Sequence, residues 1–257
     1  MSGADVHRTL GAADAFDKYR VLGSYHWTKL QGRGIRFYHA RLWARYGWFI
    51  RRVAKLEPAL VVDVGCGDAA LTHLLADSMT GAVVGIEPDD DGVELAEKAL
   101  ERAGSRASVS RGTAQRLPFG DAVVDVVVLC EVIEHLIDVD RGLAEVARIL
   151  HGGGTLLLST PRKLASPADA RHVREFAPDE LRLECRQHFR TVDVFVAEPR
   201  LLQRLFARSA GRWLLNALAA AHLNAFELTF RSEPRFVRFG QLYAIASGPR
   251  REGEDKP

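Results

Sequence analysis

The chain has 257 residues, of which 47% are hydrophobic and 26% charged, and a formal net charge of +2. That length suits one domain with an appendage and leaves ample chain for a sizeable core. No apolar run approaches the roughly 20 residues that a helix needs to cross a bilayer, which excludes a membrane-spanning class. The start, Met1-Ser-Gly-Ala-Asp-Val-His-Arg, lacks the charged-then-apolar layout of a secretory leader. Cys66, Cys130 and Cys185 are an odd trio without metal-ligand spacing. They suit a reducing compartment better than a disulfide framework, so a cytoplasmic location is expected.

In chain order, Met1 to about Phe16 reads as disordered. From Lys18 to Lys55 there are ten basic residues and no acidic ones, which leaves 25 basic against 33 acidic residues elsewhere. The same segment holds three of the four tryptophans. Basic groups interleaved with aromatics form a surface suited to phosphate plus an aromatic or unsaturated group. Leu42, Tyr46, Phe49 and Val53 also recur at helical spacing, so the plain reading is a packed helical cap with arginines facing solvent. The two readings are compatible, and residues 1–56 are taken as an amino-terminal helical extension.

Alternating strands and helices are expected over 57–249. Strands are predicted near 60–64, 82–86, 106–110, 124–129 and 153–159, and helices near 69–78, 91–103 and 139–150. Gly152-Gly153-Gly154 is expected to end the last of these helices. A loop after Pro161 then leads to a helix near 178–185, a strand near 190–196 and a final strand over 240–247. Between those two strands lies a Leu-, Ala- and Arg-rich insertion, about 199–228. It reads as one or two helices, either a packed hairpin or a substrate lid. Residues 250–257 read as a disordered tail.

The most informative stretch is Val61-Val-Asp-Val-Gly-Cys-Gly67. Its apolar run is that of a buried parallel strand, and Gly65 and Gly67 permit a tight turn with close approach of a ligand to the backbone. Asp68 is placed to begin a helix. A second apolar run ends at Glu87, about 20 residues beyond the turn, where an acid accepts hydrogen bonds from ribose hydroxyls. The glycine spacing alone also fits dinucleotide binding. Asp63, two residues before the first glycine, suits a cationic amino-acid ligand better than a pyrophosphate. Farther on come Leu117-Pro-Phe, the buried run Val123–Cys130, and then Glu131-Val-Ile-Glu134-His135.

This series resembles the class I S-adenosylmethionine-dependent methyltransferases, well over residues 58–160 and loosely elsewhere. The resemblance implies an α/β, Rossmann-like seven-stranded sheet carrying the helical extension and the helical insertion. It implies that Asp63 and the Gly65 backbone meet the amino-acid portion of S-adenosylmethionine and Glu87 the ribose. Cys66, Gly67 and Cys130 would lie beside the cofactor, with Thr113, Ala114 and Gln115 at the adenine edge. Two positions depart from the family: Thr113 stands where an acid is usual, and Ala69 where a third glycine is common. A methyl group at Ala69 should be tolerated. Related enzymes carry a His-Trp element in an extension that closes over the cofactor, a place that His26-Trp27 would fill. Tyr25, His26, Trp27 and Arg33 are accordingly the substrate-side candidates.

Glu131, Glu134 and His135 follow the fourth strand at the ligand-binding edge of such a sheet. In a helical turn their i,i+3 and i,i+4 spacing would point all three one way. Two carboxylates and an imidazole suit a divalent cation such as magnesium or manganese. The segment resembles ubiquinone-biosynthesis O-methyltransferases and small-RNA 3′-terminal methyltransferases, which share Glu-x-x-Glu-His and a later histidine. His172 would match that histidine, giving Glu131, Glu134, His135 and His172 as one ligand set. Glu131, His135 and His172 are the catalytic candidates; the alternatives left open are metal-free chemistry, in which Glu131 or His135 positions or deprotonates the acceptor, and a purely structural role.

The function expected is methyl transfer to a small, anionic or oxygen-rich metabolite: a phenol, a sugar or an isoprenoid diphosphate. Competing readings are an RNA 2′-O-methyltransferase, a methyltransferase-like binding subunit without catalysis, and a nicotinamide oxidoreductase. Intact Asp63, Gly65, Gly67 and Glu87 argue against lost catalysis. The oligomeric state is not legible.

Overall fold

The computed structural model describes residues 23–31, 39–163, 172–230, 239–251 and 253–254. Arg33, the expected disorder of residues 1–16 and most of the loop after Pro161 lie outside them. Two helices, α1 (Tyr25–Gln31) and α2 (Ala40–Leu56), precede the sheet. Then come β1 (Leu60–Val64), α3 (Ala70–Ser78), β2 (Ala82–Glu87), α4 (Asp90–Ala103), β3 (Ser108–Arg111) and β4 (Val124–Cys130). The second half runs α5 (Val139–Ile149), β5 (Leu150–Pro161), α6 (Pro178–Arg186), β6 (Phe189–Pro199), α7 (Arg200–Ala207), α8 (Ser209–Ala220) and β7 (Phe239–Pro249).

The seven strands lie in the order β3-β2-β1-β4-β5-β7-β6. All neighbours pair parallel except β7, which is antiparallel to β5 and β6. The order reverses direction between β1 and β4, so the loops leaving those two strands diverge and open a crevice at their carboxyl ends. Because β7 runs backward, its first residues reach the same edge.

The sheet is apolar on both faces, as the near-continuous Val and Leu runs of β1 and β4 require. One face buries α5 and α6, through Leu143, Val146 and Leu181. The other buries α2, α3 and α4. Phe49 and Val53 of α2 share that core with Val61 of β1 and Val126 of β4, so the extension and the sheet form one packed unit. Burying such side chains contributes about 1.5–3 kcal/mol each. Local signals set the helix ends: Asp89 caps α4 by accepting from the Gly92 N–H at 2.9 Å, and left-handed Gly104 closes it.

Several expectations shift. Asp68 does not cap α3; Ala69 does, in the left-handed region at φ +55°, with its methyl group fully buried. That conformation suits glycine, and an L-residue there costs roughly 1–2 kcal/mol. The third strand is Ser108–Arg111 rather than 106–110. Helix α5 is ended not by the glycine run but by Leu150, which turns directly into the extended conformation. Leu150 pairs with Val124 and Thr155 with Val126, so His151–Gly154 bulge from β5 and the glycines serve that bulge. The tail is also tied down where it is described: the Arg250 N–H donates to the His188 carbonyl and Arg251 to the carbonyls of Ala147 and Leu150. The 199–228 insertion is a pair of helices, and Phe206, Leu215 and Phe226 pack against Ala40 and Ala44 of α2.

Candidate functional site

A cleft of about 760 Å³ lies over the crevice between β1 and β4. It splits into two chemically unlike halves. Over β1 and β2 the walls are Asp63, Gly65, Cys66 and Glu87, with Thr113, Ala114 and Gln115 from the loop after β3. The glycine turn is built for close approach: Gly65 has φ +69°, and a Cβ there would come within 2.6 Å of Val132. Gly67 lies behind this wall, its N–H donating to Glu87 Oε2 at 2.9 Å. Asp63 and Glu87 are both essentially inaccessible to solvent. Burial pushes the Asp63 carboxyl up to about 7, although the Thr72 hydroxyl donates to it at 2.7 Å. Burial likewise raises Glu87 to about 7, against the stabilising N–H groups of Gly67 and Asp89. Two desolvated acids side by side favour a ligand with a positive charge and hydroxyl donors.

The other half lies over β4, β5 and β7, and includes Arg45, Glu131, Arg162 and Gln241. Arg45 reaches in from α2 to hold Glu131 Oε2 at 2.9 Å, with Glu198 at 3.8 Å. Burial works against its charge, but these two acids keep the guanidinium firmly protonated. Arg41 pairs with Glu198. Arg162, directly after β5, has a buried Nη1 with no hydrogen-bond partner, and Arg45 Nε is likewise unpartnered. Burial lowers the Arg162 pKa.

The segment after β4 departs from the expected helical turn. Glu131 takes a left-handed backbone, φ +61°, and a short 3₁₀ turn begins only at Ile133. Glu131 consequently stays outside the group of ligand atoms that Glu134 and His135 join, although its charge still acts on Glu134. Its carboxylate instead accepts from Ser159 and Gln241 and pairs with Arg45. Of the four expected metal ligands, Glu134, His135 and His172 converge, with one ligand atom of each within 4.8 Å of the others. Thr160 donates to buried Glu134 at 2.9 Å, and the N–H groups of Val173 and Arg174 donate to its carbonyl. His172 Nδ1 lies 2.8 Å from the Glu175 carboxylate, which leaves Nε2 for the cluster.

From the extension, Tyr25 and His26 line the cleft, whereas Trp27 faces away, stacked on His73. Helix α1 is anchored on Asp68: the His26 backbone and ring both engage the Asp68 carboxylate, and the Trp27 indole N–H donates to the Asp68 carbonyl. Cys130 also lines the cleft. Burial drives the Cys66 and Cys130 thiols well above their ordinary range, so neither is a nucleophile at neutral pH. The sequence reading missed Arg45, Arg162, Gln241 and Glu175 as site residues. Arg162 follows a strand end at the ligand edge and Glu175 stands three residues after His172, which were the available signals; Gln241 required the antiparallel course of β7.

Comparison with known proteins gives a consistent picture. Residues 62–158 match the family described as methyltransferase domain. A protein of Mycobacterium tuberculosis named as a probable S-adenosylmethionine-dependent methyltransferase is 35% identical over 127 residues, 47% of this chain and 44% of that protein. A ubiquinone biosynthesis O-methyltransferase of Azorhizobium caulinodans is 30% identical over 115 residues, 45% of each chain. The chain thus spans less than half the length of these relatives. The YcgJ protein of Bacillus subtilis shares the fold, with TM-score 0.57 and 19% identity over 81% of this chain and 99% of that one.

Proposed function

Because the chain belongs to the class I S-adenosylmethionine-dependent methyltransferase superfamily, we propose that it moves a methyl group from S-adenosylmethionine to a small metabolite bearing anionic oxygens. The observation that carries this reading is the division of one cleft into an acid-lined half and an arginine-lined half. The acid-lined half fits S-adenosylmethionine, which carries an ammonium group, a sulfonium and a ribose diol. A dinucleotide would set its pyrophosphate against Asp63, Glu87 and Asp89, a like-charge contact. In this reading Glu87 accepts from the ribose hydroxyls and Asp63 faces the amino-acid portion, while residues 113–115 border the adenine.

When bound, the sulfonium supplies an activated methyl carbon, so the protein needs no covalent nucleophile of its own. The task left to the chain is to hold an acceptor oxygen in line and exclude water. Arg162 and Gln241 would orient the acceptor's anionic part, a charge-assisted contact that suits the buried, unpartnered Nη1 of Arg162. Glu131, fixed by Arg45 and Ser159, would form the floor beneath it. Glu134, His135 and His172 would hold a divalent cation, for which one carboxylate and two imidazoles suit manganese as well as magnesium. The Glu175 carboxylate on His172 is the outer-shell partner such a ligand commonly has. Such a cation lowers the pKa of a bound hydroxyl; without it, His135 takes that proton.

The basic stripe supports a metabolite over RNA. Arg41 and Arg45 pair with Glu198 and Glu131, Arg51 pairs with Glu227, and Arg52 stacks on Trp48. Those charges are used within the molecule. Calorimetry should show binding of S-adenosylmethionine and S-adenosylhomocysteine but little of NAD, and a metabolite screen for mass gain of one methyl group should find an anionic acceptor. Comparable NAD affinity, or methylation of RNA alone, would overturn the reading.

A further inference from the structure

Helix α8 is apolar on two sides. Leu215 and Ala219 face inward, packed on α2 with Phe206. Ala210, Trp213, Leu214 and Leu218, with Ala221 just past the helix end, form a second apolar stripe at i, i+3, i+4, i+8 and i+11 spacing, and all are exposed. Trp213 is 58% exposed, with Leu201 of α7 at 79% and Leu223 at 63% beside the same hairpin. Exposed hydrophobics concentrated this way mark an interaction surface. Arg200, Arg204, Arg208 and Arg212 share the hairpin and are exposed, and no acidic residue lies between Glu198 and Glu227. Arg212 also stands over the Phe206 ring at 6.0 Å, while no ion pair involves Arg200, Arg204 or Arg208 among the described residues.

We propose that the α7–α8 hairpin is a peripheral docking surface for a bilayer with anionic headgroups. Such a surface pairs a basic fringe with Trp and Leu side chains that enter the headgroup–acyl boundary, and this hairpin presents both. A second copy of the chain fits poorly, since a two-fold contact would set the four arginines against themselves. RNA would meet the arginines but offers no aliphatic phase for Leu201, Trp213, Leu214 and Leu218. No helix among the described residues is long and apolar enough to cross a membrane, so the association is with the surface. Gln203 of α7 also lines the cleft, which places the cleft's substrate half beside the lipid. The docking surface does not depend on the methyltransfer reading.

The test is flotation of the full chain with vesicles of phosphatidylcholine alone and of phosphatidylcholine mixed with phosphatidylglycerol. Binding should require the anionic lipid and weaken with added salt. Arg200→Gln and Arg204→Gln should each reduce it roughly fivefold. Trp213→Gln with Leu214→Gln should remove it while the melting temperature and cofactor binding stay at wild-type values. Failure of the wild type to float with anionic vesicles, or undiminished flotation of the Trp213/Leu214 variant, would overturn the proposal. So would light scattering that shows a wild-type dimer dissolved by Trp213→Gln, because the face would then be a contact between copies.

Discussion

Cofactor affinity should rise with pH through neutrality, because two cleft-lining acids, Asp63 and Glu87, are held near pKa 7 by burial. A ligand that needs a carboxylate ionised binds more weakly by the factor 1 + 10^(pKa − pH). At pKa about 7 this factor is about 11 at pH 6 and about 1 at pH 8, so each acid contributes roughly tenfold. If both must ionise, S-adenosylmethionine affinity should fall about a hundredfold between pH 8 and pH 6. The stability of the ligand-free protein runs the other way. An acid whose folded pKa is raised binds more protons folded than unfolded, so stability declines as pH rises from the unfolded value to about 7. For Glu87, going from 4.5 to about 7 corresponds to roughly 3 kcal/mol as an order of magnitude. Calorimetry at pH 6, 7 and 8, with buffers of different ionisation enthalpy to count released protons, measures the first effect; apoprotein melting curves measure the second. Glu87→Gln, which keeps an acceptor but no proton to lose, should halve the logarithmic pH slope. Affinity that is flat between pH 6 and 8, or a slope unchanged in both Glu87→Gln and Asp63→Asn, would refute the assignment of these acids to the ligand.

Two further outcomes follow from the other half of the cleft. Manganese alone, titrated in the absence of cofactor and followed by electron paramagnetic resonance, should bind wild type and Glu131→Gln alike. It should bind His135→Ala and His172→Ala far more weakly, with Glu175→Gln intermediate at roughly 10–100-fold loss; equal binding by all five proteins would remove the ion site. Arg45→Met should lower unfolding free energy in urea by about 3 kcal/mol, because it strands Glu131 without its cation while Glu198 keeps Arg41. A second substitution, Glu131→Gln, should recover part of that loss, and a fully additive double variant would refute the coupling.

What the sequence made legible was whatever local pattern determines. The Val runs, the Gly65–Gly67 turn and the acid at Glu87 each report their own backbone environment, and the structure sets them where that pattern implied. The metal group shows the limit. Reading Glu131, Glu134 and His135 as one helical face assumed a conformation that left-handed Glu131 does not take; the 3₁₀ turn begins only at Ile133, and the convergence of Glu134 and His135 with His172 is a tertiary matter. The glycine run at 152–154 misled for a related reason: glycines that look like a helix stop serve a bulge opposite Val124. Arg45 and Gln241 were illegible because their roles depend on chain segments nearly 200 residues apart meeting at one sheet edge.

The anchoring of α1 on Asp68 has a kinetic consequence. Three donors from two adjacent residues converge on a single side chain and its carbonyl, one position beyond the glycine that braces Glu87. If the proposed cofactor exchanges past Tyr25 and His26, those bonds would open together, as one latch. Under that reading, substitutions at Asp68 should change the dwell time of the bound nucleoside more than its equilibrium affinity.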